Sequence, residues 1–279
     1  MVMKKVFWII LCLFFYFPVV FAGNMKLYYE RPAEYFEEAL VIGNGTMGAT
    51  LYGGVKKDKI SFNDITLWTG EPESENSSPD AFNVIPEIRA LLDNEDYQGA
   101  DKAQYKVQGH YSENYQPLGT LTIEYLDDTA GISDYHRWLD IGNATARTQY
   151  LKDGKLFTSD YFASAPDSVI VIRLKSENKE GIHASLSFDS PLPHSSQVAD
   201  NEISVEGYAA YHSFPVYYKA EDKHRYDPER GIHFKTLVRV LSVDGSVKDR
   251  YSDSRIEIDG STEVLILIAN VTSFNGFDL

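Results

Sequence analysis

The chain has 279 residues, 43% hydrophobic and 13% aromatic, with 41 acidic against 26 basic side chains and a formal net charge of −15. That length is ample for a core without covalent staples. The acidic balance excludes nucleic acid and anionic membrane surfaces as partners, since both require a basic face.

Residues 1–22 read as a secretory signal peptide. Lys4 and Lys5 form the positive n-region, residues 6–20 the apolar h-region, and Val20-Phe21-Ala22 the cleavage site. The alternative is a membrane anchor, but the apolar run contains Pro18 and falls short of the roughly 20 residues a bilayer span needs. The single cysteine, Cys12, lies inside this segment. A disulfide framework, a thiolate nucleophile and a zinc–cysteine site are therefore excluded from the mature chain.

Gly43-Asn44-Gly45-Thr46-Met47-Gly48 fits the dinucleotide-binding pattern G-x-G-x-x-G. That fingerprint works only where a helix follows and turns its free N–H groups toward a pyrophosphate. Residues 49–55 are instead glycines and β-formers, and with Lys57-Asp58 as a turn before Ile60-Ser61-Phe62 they predict a β-hairpin. Residues 71–80, rich in Ser, Asn and Pro, read as a surface loop. A helix is predicted over 84–93, with Asn83 as N-cap, Pro86 in its first turn and Ile85, Ile88 and Leu92 on one face. A second is predicted over 95–107, both packing on the flank of a sheet. Strands follow. Leu121, Ile123 and Tyr125 alternate with polar neighbours, and 144–150 and 156–163 flank the hairpin signal Asp153-Gly154. Further strands are predicted over 169–174, 182–188, 203–206, 232–243, 255–258 and 263–271, and the charged stretch 219–231 reads as an exposed loop. The fold class is mainly β: a large antiparallel β-sandwich with a small helical insertion around 84–107.

An ordered series of motifs carries a family resemblance. It comprises Glu38-Ala39-Leu40-Val41-Ile42-Gly43-Asn44-Gly45, Asn63-Asp64-Ile65-Thr66-Leu67-Trp68-Thr69-Gly70 and Tyr115-Gln116-Pro117-Leu118-Gly119. Tyr135-His136-Arg137-Trp138-Leu139-Asp140, Phe162-Ala163-Ser164 and Thr272-Ser273-Phe274-Asn275-Gly276-Phe277-Asp278 complete it, with His136 and Trp138 as departures. Residues 25–279 thereby resemble the N-terminal super-sandwich module of glycoside hydrolase family 95, the 1,2-α-L-fucosidases. The resemblance implies inverting hydrolysis of terminal α-1,2-fucosides by the whole enzyme, and bacterial export to the periplasm or exterior. It also implies that the catalytic residues sit in a downstream (α/α)6 barrel, absent from this chain, through which a fucosylated oligosaccharide would be the partner. No position matches those catalytic motifs, so no catalytic residue is assigned and the chain alone is expected to be inactive.

Inverting glycosidases hold two carboxyls about 6.5–9.5 Å apart. Asp64, Glu71, Asp80, Glu113 and Glu124 lie near the motifs, but most surface carboxylates are merely solvated. The histidines show no HxH or HExxH spacing, and no metal or cofactor is expected. Aromatics are the best sugar contacts because flat rings stack on the apolar faces of pyranoses. Trp68 and Tyr115, with Asn63, Gln116 and Asn275 as hydrogen bonders, are assigned either to substrate or to the barrel interface. Tyr111, Tyr208, Tyr211 and Tyr217 are further aromatic candidates. Two other readings stay open: an autonomous carbohydrate-binding module, and a purely structural buttress. The sequons at Asn44, Asn76, Asn143 and Asn270 would matter only in a eukaryotic secretory pathway.

Overall fold

A computed structural model describes residues 25–72, 80–109 and 111–276. The signal-peptide segment, most of the 71–80 loop, His110 and the Phe277-Asp278 end of the last motif lie outside these described residues.

The fold is an antiparallel sandwich. One sheet has nine strands: β1 (Lys26–Tyr29), β6 (Ile132–Asp140), β7 (Thr145–Lys152), β8 (Lys155–Ser164), β9 (Val169–Ser176), β18 (Glu263–Thr272), β15 (His233–Ser242), β12 (Glu202–Tyr208) and β11 (His194–Ala199), in that spatial order. The other has seven: β16 (Ser246–Arg250), β17 (Arg255–Ser261), β10 (Ile182–Asp189), β5 (Gly119–Tyr125), β4 (Lys57–Asp64), β3 (Met47–Leu51) and β2 (Leu40–Gly43). A two-residue pair, β13 (His212–Ser213) and β14 (His224–Arg225), sits in a long loop at one end. Alternation decides which side chains point inward. Leu121, Ile123, Ile60, Phe62, Leu186 and Ile256 from the seven-stranded sheet meet Ile170, Ile172, Leu174, Ile266, Ile268 and Val238 from the nine-stranded one in a single core. Each such side chain contributes about 1.5–3 kcal/mol through burial.

The glycine block forms a hairpin. Gly43 pairs with Gly48 across the β2–β3 turn, and Asn44 Oδ1 accepts the Thr46 and Met47 N–H groups at 3.0 and 2.8 Å. A strand, not a helix, follows the glycines, so the phosphate-cradling geometry is absent. The Asp153-Gly154 turn is also as read: both residues have positive φ, and Lys152 faces Lys155.

Two readings of local structure are corrected. Lys57-Asp58 is not a turn but the start of β4, whose burial alternates so that Asp58, Ile60, Phe62 and Asp64 all point inward. The connection falls earlier, over residues 52–56 with its bend at Val55 and Lys56, and the Asp58 carboxylate folds back to accept the Gly54 N–H at 2.9 Å. A side chain at Gly54 would collide with the Lys57 carbonyl. The first helix, α1 (Ala81–Asp93), starts three residues earlier than read, with Asp80 rather than Asn83 at its N-cap position and no side-chain capping bond there. It turns Val84, Ile88 and Leu91 toward cover and leaves Ile85 and Leu92 exposed. It packs on α2 (Tyr97–Gln104), where Ala100 and Ala103 are buried, and Asp96 caps α2 by accepting the Gly99 N–H at 2.9 Å.

Polar groups cross the core. The Tyr161 hydroxyl on β8 donates to Asp58 Oδ2 on β4 at 2.7 Å. Asn270 Nδ2 on β18 donates to Asp64 Oδ2 at 2.8 Å, while Asn270 Oδ1 accepts from Thr236 Oγ1 at 2.7 Å. Both bridges tie the two sheets together in register. Arg137 on β6 is 1% exposed. Its guanidinium is satisfied by the carbonyls of Arg31 and Glu38 at 2.8 and 2.9 Å and lies 4.3 Å from the Tyr29 ring centre.

Candidate functional site

Three loops meet at one end of the sandwich: 65–72 after β4, 111–118 before β5, and 209–232 between β12 and β15. Asp64 starts the first by accepting the Thr66 N–H at 2.9 Å, and fully buried Leu67 anchors it. Anchoring turns the next side chain, Trp68, outward, where it is 43% exposed. The 111–118 loop runs antiparallel beside it, and Trp68 pairs with Tyr115. The Gln116 N–H donates to the Leu67 carbonyl and the Thr69 N–H to the Asn114 carbonyl, at 2.9 and 2.8 Å. The Trp68 and Tyr115 rings meet at 5.3 Å, tilted by 55°, and Trp68 Nε1 donates to the Ile65 carbonyl at 3.0 Å. Asn63 Nδ2 reaches the Gln116 carbonyl at 3.4 Å. Burial pushes the Tyr115 phenol above its ordinary range, against the opposing hydrogen bond from Asn63.

Four of the five assigned residues, Asn63, Trp68, Tyr115 and Gln116, thus form one surface. Asn275 is exposed beyond the end of β18 and shares none of the hydrogen bonds described for the other four. The strand leading to it is held to the same rim through Thr272 Oγ1, 2.6 Å from Thr66 Oγ1.

Glu113, which composition alone left as a solvated acid, fastens the three loops. Its Oε2 accepts the Ser213 N–H at 3.0 Å and the Thr69 hydroxyl, and its Oε1 lies 2.8 Å from His212 Nδ1. Gly70, at φ 109°, fits because a Cβ there would lie 2.7 Å from Glu113 Cγ. Glu71 is likewise taken. Arg230 Nε donates to it at 3.0 Å while the same guanidinium lies 3.6 Å from the Tyr211 ring centre. The Arg230 hydrogen bonds hold the Glu71 carboxyl below its usual range. No signal in sequence separates these acids from their neighbours, because their partners are up to 159 residues away. Beside the struts stands an aromatic group in which Phe214 stacks on Tyr218 at 4.8 Å and Tyr111 meets Tyr218 at 5.5 Å. Among the described residues, no cluster of three or more His, Cys, Asp or Glu could hold a metal ion.

Chemically, this end offers exposed rings and amides on a rigid base, and its two nearest acids are committed to structural bonds. It is suited to contact rather than to proton transfer.

The family model "Glycosyl hydrolase family 65, N-terminal domain" matches residues 27–276. The chain belongs to this family. Its N-terminal-domain sandwich is also similar to "Alpha-L-fucosidase 2" of Arabidopsis thaliana, at 28% identity over 259 residues, covering 90% of the chain and 31% of that protein. "Probable alpha-fucosidase A" of Aspergillus niger is 28% identical over 273 residues, covering 91% of the chain and 31% of the relative. The chain therefore spans about a third of the length of the curated relatives it matches. Among solved structures, "Putative kojibiose phosphorylase from human microbiome" superposes with a TM-score of 0.46 at 9% identity, over 89% of this chain and 32% of the other.

Proposed function

We propose that the chain is the N-terminal sandwich of an exported family 95 glycosidase that removes terminal α-1,2-linked fucose with inversion. The reaction would occur in an (α/α)6 barrel outside these residues. The observation that carries this reading is the 28% identity to the Arabidopsis fucosidase along 90% of the chain, against only 31% of that enzyme. The remaining length of such a relative is the natural place for the catalytic acids, since the acids at this domain's loop end are occupied by Arg230, His212 and Ser213. In this reading the Trp68–Tyr115 surface seats the barrel or the outer part of its substrate.

The test is hydrolysis of 2′-fucosyllactose by the chain alone and by a version carrying the barrel, with product anomers followed by proton NMR. Fucose of inverted configuration released only by the longer protein is the expected result. Turnover by the chain alone, or retention by the longer protein, overturns the proposal.

A further inference from the structure

Beside the loop end, but on the outer face of the nine-stranded sheet, lies an open groove of about 680 Å³ that the fucosidase reading does not use. Its volume falls within the roughly 300–1,000 Å³ of small-molecule sites. Strand register explains its make-up. Tyr208 on β12 faces His233 on β15, and one step along the same face Glu206 faces Lys235, which faces Val271. The groove floor is therefore two parallel rows, one of rings and one of hydrogen-bonding groups, about 6.6 Å apart along the strands.

The ring row is held firmly. The Tyr208 and His233 ring centres are 5.7 Å apart at 32°, and Tyr226 meets Tyr208 edge-on at 6.5 Å. Ser273 Oγ accepts the His233 N–H at 3.0 Å, and the Pro193 carbonyl accepts the Tyr208 N–H at 3.1 Å, which anchors the backbone under both rings. The polar row is charge-balanced, because Lys235 Nζ donates to Glu206 Oε1 at 2.6 Å. His194 on the far wall is matched to Asp189 at 3.4 Å. A chain of net charge −15 whose groove lysine, Lys235, is paired with Glu206 repels anionic ligands. What remains is a pair of tilted aromatic rings beside mixed donors and acceptors. That pattern complements a neutral pyranose, whose C–H face stacks on rings while its hydroxyls both donate and accept.

We infer that this groove binds a neutral oligosaccharide, with a pyranose seated on Tyr208 and His233 and hydroxyls bonded to Glu206 and Lys235. The site is separate from the Trp68–Tyr115 surface and needs no barrel, so it stands or falls independently of the fucosidase proposal.

The purified chain is titrated calorimetrically with maltotetraose, cellotetraose and 2′-fucosyllactose, with glucose 6-phosphate as the anionic control. At least one neutral sugar should bind with a millimolar dissociation constant, and Tyr208→Ala should weaken it about tenfold. The exposed His233→Ala and Glu206→Gln variants, checked for unchanged thermal unfolding, should weaken it as well, while Trp68→Ala should not. The inference is overturned by no heat with any neutral sugar, or by wild-type affinity in both His233→Ala and Glu206→Gln. Loss of binding in Trp68→Ala alone, or equal binding of glucose 6-phosphate, overturns it too.

Discussion

Replacing Asp58 with asparagine should change how the stability of this domain depends on pH. Asp58 is 1% exposed in the core between β4 and β8, surrounded by tyrosines. Burial lifts its carboxyl from 3.8 to about 6, against the opposing hydrogen bonds from Gly54 and Tyr161. Burial likewise drives the Tyr125 and Tyr161 phenols far above their ordinary range, so the neighbours stay neutral. Because the folded value lies above the unfolded one, the folded state holds the extra proton between the two. Stability from this group is therefore complete below pH 3.8 and is lost as pH rises through about 6. A shift of roughly two units corresponds to about 3 kcal/mol in all, of which about 2–2.5 kcal/mol falls between pH 4 and pH 7.5.

Asparagine keeps an oxygen for the Gly54 N–H and cannot ionise. Its fixed penalty from rearranging the Tyr161 hydrogen bond is the same at every pH. The assay is urea unfolding of both proteins across this range, taking the difference in unfolding free energy at each pH. Surface carboxyls held low by their partners, such as Asp128 beside Lys152 and Asp259 beside Lys248, act with the opposite sign but cancel in the difference. The wild type should lose about 2–2.5 kcal/mol relative to Asp58→Asn as pH rises from 4 to 7.5. A difference constant to within about 0.5 kcal/mol would refute the reasoning.

Other expectations concern single side chains. Arg137→Met leaves the Arg31 and Glu38 carbonyls without their buried donor and should cost about 2–4 kcal/mol, read by thermal or urea unfolding. Asn270→Ala strands Asp64 and Thr236 in the core and should destabilise by about 1–3 kcal/mol, whereas Trp68→Ala on the surface should be far milder. If the chain is expressed through a eukaryotic secretory pathway, mass spectrometry should find glycan on Asn143, which is exposed in a turn. It should find none on Asn270, which is buried and bonded to Asp64, and little on Asn44, whose amide is held by Ser164 and the β2–β3 turn.

Side-chain periodicity by itself determined the sheet content of this chain. Alternation along β5, β10 and β15 and the Asp-Gly turn at 153–154 specify strands and hairpins through neighbours only one or two residues away. The motif order from Glu38 to Asn275 placed the chain as an N-terminal domain of a fucosidase-like glycoside hydrolase for the same reason, since it is linear information. The alternation of β4 even carried the inward direction of Asp58 and Asp64, although a charged pair beside a lysine reads more readily as a turn. Tertiary structure alone decided the rest. Glu113 became a strut because His212 and Ser213 arrive from about a hundred residues away. The Tyr208–His233 and Glu206–Lys235 rows exist only once β12 pairs with β15 in one register. A one-residue slip would turn both rows into the core, and no local pattern fixes which distant strand supplies the partner.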